Sequence, residues 1–243
     1  MLAVRRSTDR GHFNHGWLDT YHSFSFGGYQ DQGHMGFRAL RVINEDFVAP
    51  GKGFGRHPHD NMEILTVVVS GAIEHRDSMG NGEVLRPGEV QYMSAGTGIE
   101  HSEFNPSPDT PLHLLQIWLM PNAEDVTPDY AQKEFPFADR QDKLLLVASK
   151  DGRQKSIKVR ADAELYVSRL GIGNHVEHSL GKRHAWIQLI SGEIEVNGMK
   201  MTAGDGLAVS EIRRRDYVDA SPLNRVRRDR AHNCRPRADH PGR

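Results

Sequence analysis

Cysteine is almost absent from this chain: among its 243 residues only Cys234 carries a thiol. One thiol closes no internal disulfide and builds no cysteine metal site, so any metal has to be held by histidine and carboxylate. An excess of one charge is missing too. Lys and Arg (31) balance Asp and Glu (32) to a formal net charge of −1, and no global basic field calls for nucleic acid or an anionic membrane. No apolar run approaches membrane-spanning length, and the opening Met1-Leu-Ala-Val-Arg-Arg offers no signal-type apolar core. The expectation is a soluble, cytoplasmic protein. Long stretches of helical period are lacking in the first half as well.

What the chain has is strand after strand with Gly and Pro punctuation. Ser23-Phe-Ser-Phe26 alternates polar and apolar and predicts a short strand ended by Gly27-Gly28. Ala39–Val48 predicts a strand that runs into the turn Ala49-Pro50-Gly51. Asn61–Val69, rich in β-branched residues, predicts a strand buried on both faces. Ser70-Gly71 turns it, and Asn81-Gly82 signals a hairpin. Val90–Ser94 and His113–Met120 predict further core strands. This rhythm argues for an all-β jelly-roll sandwich or barrel.

Two pairs of chemistry-bearing residues lie inside that rhythm. Residues two apart on a strand point to one face, so His57 and His59 of Gly-Phe-Gly-Arg-His57-Pro-His59 look one way, as do His101 and Glu103 of Gly98-Ile-Glu-His101-Ser-Glu103. One His-x-His in a chain with 14 histidines is a weak signal. The second pair, about forty residues later behind a glycine-rich turn, makes a cage of three imidazoles and a carboxylate. Such a cage suits iron, copper, nickel, manganese, cobalt or zinc rather than calcium or magnesium. The competing reading is two surface strands with solvated histidines. His12, His15, His22 and His34 show no paired spacing and read as hydrogen-bonded structural histidines.

Between Pro121 and Asp142 the chain turns polar, which predicts a boundary. The strand rhythm then resumes with Lys143–Val147, Ser156–Val159, Ala163–Val167, Trp186–Ile190 and Glu193–Val196. Ser191-Gly-Glu-Ile-Glu195 repeats Ser70-Gly-Ala-Ile-Glu74, so an internal duplication is expected, two barrels in tandem. The division is 1–135 for a metal-bearing unit, 145–221 for a second unit without a site, and 222–243 for a disordered tail. His175, His178 and His184 of the second unit read as structural. From Glu211 onward arginine is in excess and apolar residues are few, a composition that cannot fold and lacks a closing strand. Either a nucleic-acid-binding arm or an altered terminus would account for it.

The chain resembles a pirin, a member of the cupin superfamily, in Gly16-Trp-Leu-Asp-Thr-Tyr-His22-Ser-Phe-Ser-Phe26, Gly55-Arg-His57-Pro-His59-Asp-Asn-Met-Glu63, Glu74-His-Arg-Asp77-Ser and Met93-Ser-Ala-Gly-Thr-Gly-Ile-Glu-His101-Ser-Glu103. The likeness covers roughly residues 1 to 210. It implies two tandem cupin jelly-roll β-barrels and one iron-like divalent metal ion per chain, with copper, nickel, manganese, cobalt and zinc as the other choices. The general cupin pattern would use Glu63 as a ligand. Pirins use the later glutamate, so the implied set is His57, His59, His101 and Glu103, with Glu63 as support behind it. The implied roles are flavonol (quercetin) dioxygenase or, in a different class, a non-enzymatic transcriptional co-regulator acting through protein partners.

Under the enzyme reading Glu103 is the catalytic group, taking a substrate hydroxyl proton as general base. Phe54, Met93, Gln116 and Trp118 would form an apolar pocket wall with one polar handle for a small aromatic substrate, with O2 as co-substrate. Plain core packing would account for the same four residues. Neither a membrane nor nucleic acid is expected as a partner, and a monomer is.

Overall fold

In a computed structural model, residues 1–210 are described in full and 217–222 by their backbone. The first half holds twelve strands: β1 (Leu2–Arg5), β2 (Gly11–Asn14), β3 (Leu18–His22), β4 (Leu40–Val48), β5 (Gly53–His59), β6 (Glu63–Ser70), β7 (Ile73–Asp77), β8 (Gly82–Leu85), β9 (Glu89–Ser94), β10 (Ile99–Phe104), β11 (Leu112–Leu119) and β12 (Asp129–Glu134). The second half adds β13 (Leu145–Ser149), β14 (Ile157–Lys158), β15 (Glu164–Val167), β16 (Val176–Ser179), β17 (Ala185–Gln188), β18 (Glu193–Val196), β19 (Met199–Thr202), β20 (Gly206–Val209) and β21 (Tyr217–Pro222). Three short 3-10 turns are the only helical elements among the described residues. The chain forms two jelly-roll units, as its strand grammar predicts.

A seven-stranded sheet in the order β12-β9-β6-β11-β4-β3-β2 is the backbone of the first unit, and a four-stranded sheet, β5-β10-β7-β8, lies over one of its faces. The contact is laid down in layers. Leu18, Val48, Val68, Leu112 and Leu114 meet Ile73 and Leu85 of the smaller sheet at one end. Ile64 and Met93 meet Ile99 at the other. The opposite face of the large sheet carries Ile43, Leu65, Val67, Val90, Tyr92, Leu115 and Ile117, which share a core with Val147, Ala148, Ile157, Val159 and Ala161 of the second half. Both faces of β6 are thereby covered, which is why Glu63–Ser70 reads as a nearly unbroken apolar run. Full burial of an aliphatic side chain such as Leu65 stabilises by about 1.5–3 kcal/mol, so this shared core couples the two halves strongly.

The second half has sheets β1-β20-β17, β14-β13-β15 and β16-β21-β18-β19. Its inner core is Leu180, Val196, Met201, Leu207 and Val209, with Leu2 and Val4 from the N-terminal strand packed against it. The chain therefore begins in the second unit before it builds the first. The repeat seen in the sequence has a backbone counterpart: Gly71 and Gly192, which occupy matching positions after Ser70 and Ser191, both have φ of 79°, a left-handed conformation that favours glycine.

Several sequence expectations need correcting. Ser23–Phe26 is not a strand; the strand lies just upstream at Leu18–His22, and Phe26 only bridges to Tyr29 in a tight turn. The polar stretch after Pro121 contains β12, an edge strand paired with β9, whose one free side explains its polarity. Asn81-Gly82 does mark a hairpin, β7–β8, although the loop spans Ser78–Asn81 and Gly82 already pairs in β8. Asn197-Gly198, with φ of 47° and 82°, is the two-residue type and joins β18 to β19. The closing strand judged missing after Glu211 exists as β21, between β16 and β18. Apart from Pro222, which ends β21, the expected tail 222–243 lies outside the described residues.

Candidate metal centre

The centre is made where β5 and β10 run side by side. His101 pairs with His57 in the ladder, but Glu103 pairs with Phe54, so two steps along β10 match three along β5. The extra residue is a β-bulge, a device that re-aims side chains locally. Gly53 makes the close approach possible: a Cβ there would meet the Glu103 carbonyl oxygen at 2.1 Å and the Phe104 Cα at 2.5 Å.

His57, His59 and His101 converge. Their ring centroids are 4.4 Å (His57–His101), 4.8 Å (His57–His59) and 4.8 Å (His59–His101) apart, and one ligand atom from each lies within 4.8 Å of the others. Glu103 is not in that trio. It forms a second cluster, at the same 4.8 Å limit, with His101 and with His75 of β7. His101 thus belongs to both.

The surroundings prepare these groups as ligands. His57 Nδ1–H donates to the Gly55 carbonyl at 2.8 Å, leaving Nε2 bare. Burial, reinforced by the neighbouring His57, lowers the pKa of His59 to about 4. For His101 burial, then His57, His59 and His75, lower it to about 2, so these two rings are neutral at pH 7. His101 Nε2 is buried and has no hydrogen-bond partner in the protein. Such an orphaned ring nitrogen on the histidine common to both clusters fits a divalent transition ion, whereas a hard cation would require mostly oxygen.

Glu103 is 3% exposed. Burial pushes its carboxyl up to about 7, opposed by a hydrogen bond from Gln116 and assisted by the charge of Asp46. Gln116 Nε2 donates to both carboxylate oxygens at 3.2 and 3.4 Å, while its own Oε1 accepts from Thr66 Oγ1 at 2.6 Å. The amide is held in one orientation from behind.

The four candidate wall residues divide. Gln116 and Trp118 touch the centre: the indole meets the His59 ring edge-on at 5.0 Å and Phe26 at 5.2 Å. Phe54 stands beside His57 at 6.5 Å and also caps the apolar layer with Trp17. Met93 is 1% exposed and packs among Ile64, Ala95 and Ile99, with Trp118 against the same cluster.

Glu63 is corrected. It lies on the far face of the large sheet, where its carboxylate accepts hydrogen bonds from Tyr92 Oη, from Ser94 Oγ at 2.7 Å and from the Arg160 backbone N–H at 3.0 Å. It ties the second half to the first and does not reach the histidines. Structural roles are seen for His12, bonded to Asp19 at 2.6 Å, and His34, bonded to Asp31 at 2.9 Å. In the second half His178 rests on Tyr166 and His184 on Phe37. Among the described residues both ligand clusters lie in the first half.

Sequence reasoning missed His75, Asp77 and Tyr130. His75 is fully buried, bonds Asp77 at 3.2 Å and is stacked on by Tyr130 at 5.1 Å. His75 and Asp77 are two apart on a strand, so the rule that singled out the other two pairs also marks this one. Tyr130 was hidden because its strand read as linker.

Residues 3–119 match the Pirin family, and residues 146–222 match the quercetinase C-terminal cupin domain. The chain is 50% identical over 210 residues to a quercetin 2,3-dioxygenase of Escherichia coli strain K12, covering 86% of this chain and 90% of that relative. The crystal structure of YhhW from Escherichia coli superposes with a TM-score of 0.87 at 47% identity, over 91% of this chain and 93% of that one. A second structure, bacterial pirin YhhW in complex with nickel(II), gives a TM-score of 0.85 at 46% identity over 91% and 95%. By sequence and fold, this chain belongs to the pirin family.

Proposed function

We propose that the protein is a metal-dependent dioxygenase that cleaves flavonols such as quercetin, with His57, His59, His101 and Glu103 holding one divalent transition ion. The observation that carries this reading is the convergence of His57, His59 and His101, with His101 Nε2 buried and unpartnered and Glu103 clustered with the same His101. Identity of 50% to a quercetin 2,3-dioxygenase supports the choice of substrate class. An ion bound there would supply Lewis acidity toward a hydroxyl-ketone chelate and the redox chemistry needed for O2.

The protein's own groups then have separate tasks. Glu103 takes the flavonol hydroxyl proton, as a buried carboxylate is a stronger base than a solvated one. Gln116, held by Thr66, keeps the carboxylate from rotating. Trp118 and Phe54 flank the imidazoles with apolar surface that would exclude water and orient an aromatic ligand. We assign the centre to a first unit within residues 1–135, whose opening strand β1 packs on the second, and a supporting role to that second unit, 145–221. The protein is taken to act as a cytoplasmic monomer. No helix among the described residues is long and apolar enough to cross a membrane.

The test is turnover by protein reconstituted separately with iron, copper, nickel, manganese and cobalt, followed by loss of flavonol absorbance and by oxygen uptake. One O2 consumed per flavonol lost, with at least one metal, is expected. Absence of turnover with all five would favour the regulator reading.

A further inference from the structure

The loop between β7 and β8 is closed on the Asp77 carboxylate. Oδ1 accepts the backbone N–H of Met79 at 2.9 Å and of Asn81 at 3.0 Å, while Oδ2 accepts the Asn81 side-chain amide at 2.8 Å and His75 Nε2 at 3.2 Å. An ionised carboxylate only accepts hydrogen bonds, so His75 Nε2 must carry a proton. The His75 ring is 0% exposed, and a ring buried this completely stays neutral with a single proton. Its Nδ1 is then a bare lone pair. That lone pair faces His101 Nδ1 at 3.4 Å, and two bare nitrogens would repel there. His101 Nδ1 therefore holds the proton, and His101 Nε2, the atom with no protein partner, is left bare. Tyr130, stacked on His75 at 25° between planes, keeps that ring from turning.

We propose that Asp77 and His75 are positioning residues: the loop carboxylate sets the tautomer of His75, and His75 sets that of His101, so that His101 offers Nε2 to the metal. The proposal rests on His101 being a metal ligand. It adds that the ligand atom is chosen from β7, by the pair His75 and Asp77 behind His101. In metal sites generally, a carboxylate behind a histidine fixes tautomer and ring orientation, and losing it weakens metal binding by about 10–100-fold. Here the carboxylate works through a second histidine.

The decisive experiment is long-range 1H–15N NMR of protein labelled with 15N-histidine, before and after addition of Zn(II). His75→Gln and His101→Gln variants identify the two rings. Expected are His75 protonated on Nε2 and His101 protonated on Nδ1 in both states, with the zinc-induced shift on His101 Nε2. His101 protonated on Nε2, or shifted by zinc at Nδ1, would overturn the proposal while leaving the metal centre standing. If zinc left His57, His59 and His101 all unshifted, the metal reading would fail, and with it the ligand role assigned here. Asp77→Asn supplies the second readout. Its Oδ1 can keep the two backbone hydrogen bonds, but its amide would donate toward His75 and drive the proton to Nδ1. Zinc affinity measured by chelator competition should fall about 10–100-fold, and an affinity equal to the parent protein's would count against the proposal. Should this variant not fold, the spectra of the unaltered protein decide alone.

Discussion

His57 stands directly across the β5–β10 ladder from His101, their rings 4.4 Å apart, and a bulge one step further on brings Glu103 opposite Phe54 instead of Gly55. Regular pairing would have carried the second pair through in strict register with the first. The bulge breaks that symmetry, and Glu103 joins His101 and His75, their ligand atoms within 4.8 Å of one another, rather than the His57–His59 side. The candidate centre is thus two overlapping trios hinged on His101. Two consequences concern the ligands and their backbone, one concerns Glu63 on the far face of the sheet, and one a histidine outside the centre.

Replacing His57 or His101 with alanine should remove bound metal while leaving a folded protein. The apolar layers on either side, Leu112 with Leu114 and Ile64 with Met93, do not depend on these rings. Metal per chain by elemental analysis, alongside the thermal transition, checks this. Full occupancy in both variants would remove the two histidines from the site.

Glu63→Ala should do the reverse. It orphans the donors of Tyr92, Ser94 and Arg160 at the junction of the two halves, which costs roughly 3 kcal/mol or more for buried hydrogen-bonding groups. Metal content should stay at the level of the unaltered protein. A variant of normal urea stability that had lost its metal would restore the general cupin pattern, in which this glutamate is a ligand.

Gly53→Ala places a methyl group against the Glu103 carbonyl, which cannot move without distorting the bulge. Destabilisation of about 1–3 kcal/mol is expected from overpacking of this kind, together with weaker metal binding through displaced Glu103. Unchanged metal affinity with unchanged stability would show that the bulge yields easily.

His22 should make the protein acid-sensitive. Burial, with smaller contributions from the charges of His15 and Arg10, lowers its pKa to about 4, and Nδ1 has no partner that could accept from it. The folded value lies below the unfolded one of about 6.5, so between the two the unfolded chain binds a proton that the native ring refuses. Stability from this group is therefore complete above pH 6.5 and lost as the pH falls toward 4, by at most on the order of 3 kcal/mol. Urea denaturation at pH 7 and 4.5 should show a smaller acid loss for His22→Gln than for the parent, and equal losses would refute the assignment.

Much of this was legible before any coordinates. Strands β4, β6, β9 and β11 declared themselves because each carries several apolar residues and runs out into a turn marked by Gly or Pro, and the His-x-His and His-x-Glu pairs needed only the two-residue period of a strand. The edge strand β12 did not, since an edge facing solvent is polar and resembles a linker. Neither the bulge nor the side of the sheet to which Glu63 points can be read from spacing, because both depend on register, and a one-residue slip moves every side chain to the other face. That same ambiguity concealed β1, whose partner β20 lies some two hundred residues away.

The central claim is that Glu103 on the metal does the proton chemistry of flavonol oxygenation, and one measurement bears on it most directly: oxygen uptake with quercetin by Glu103→Gln protein whose metal content has been verified. Glutamine keeps the shape and the contact with Gln116 but cannot take a proton, so uptake should fall by at least about 100-fold, within the range attributed to general-base catalysis, while metal-replete parent protein turns over. Parent-level uptake by a metal-loaded Glu103→Gln variant would contradict it.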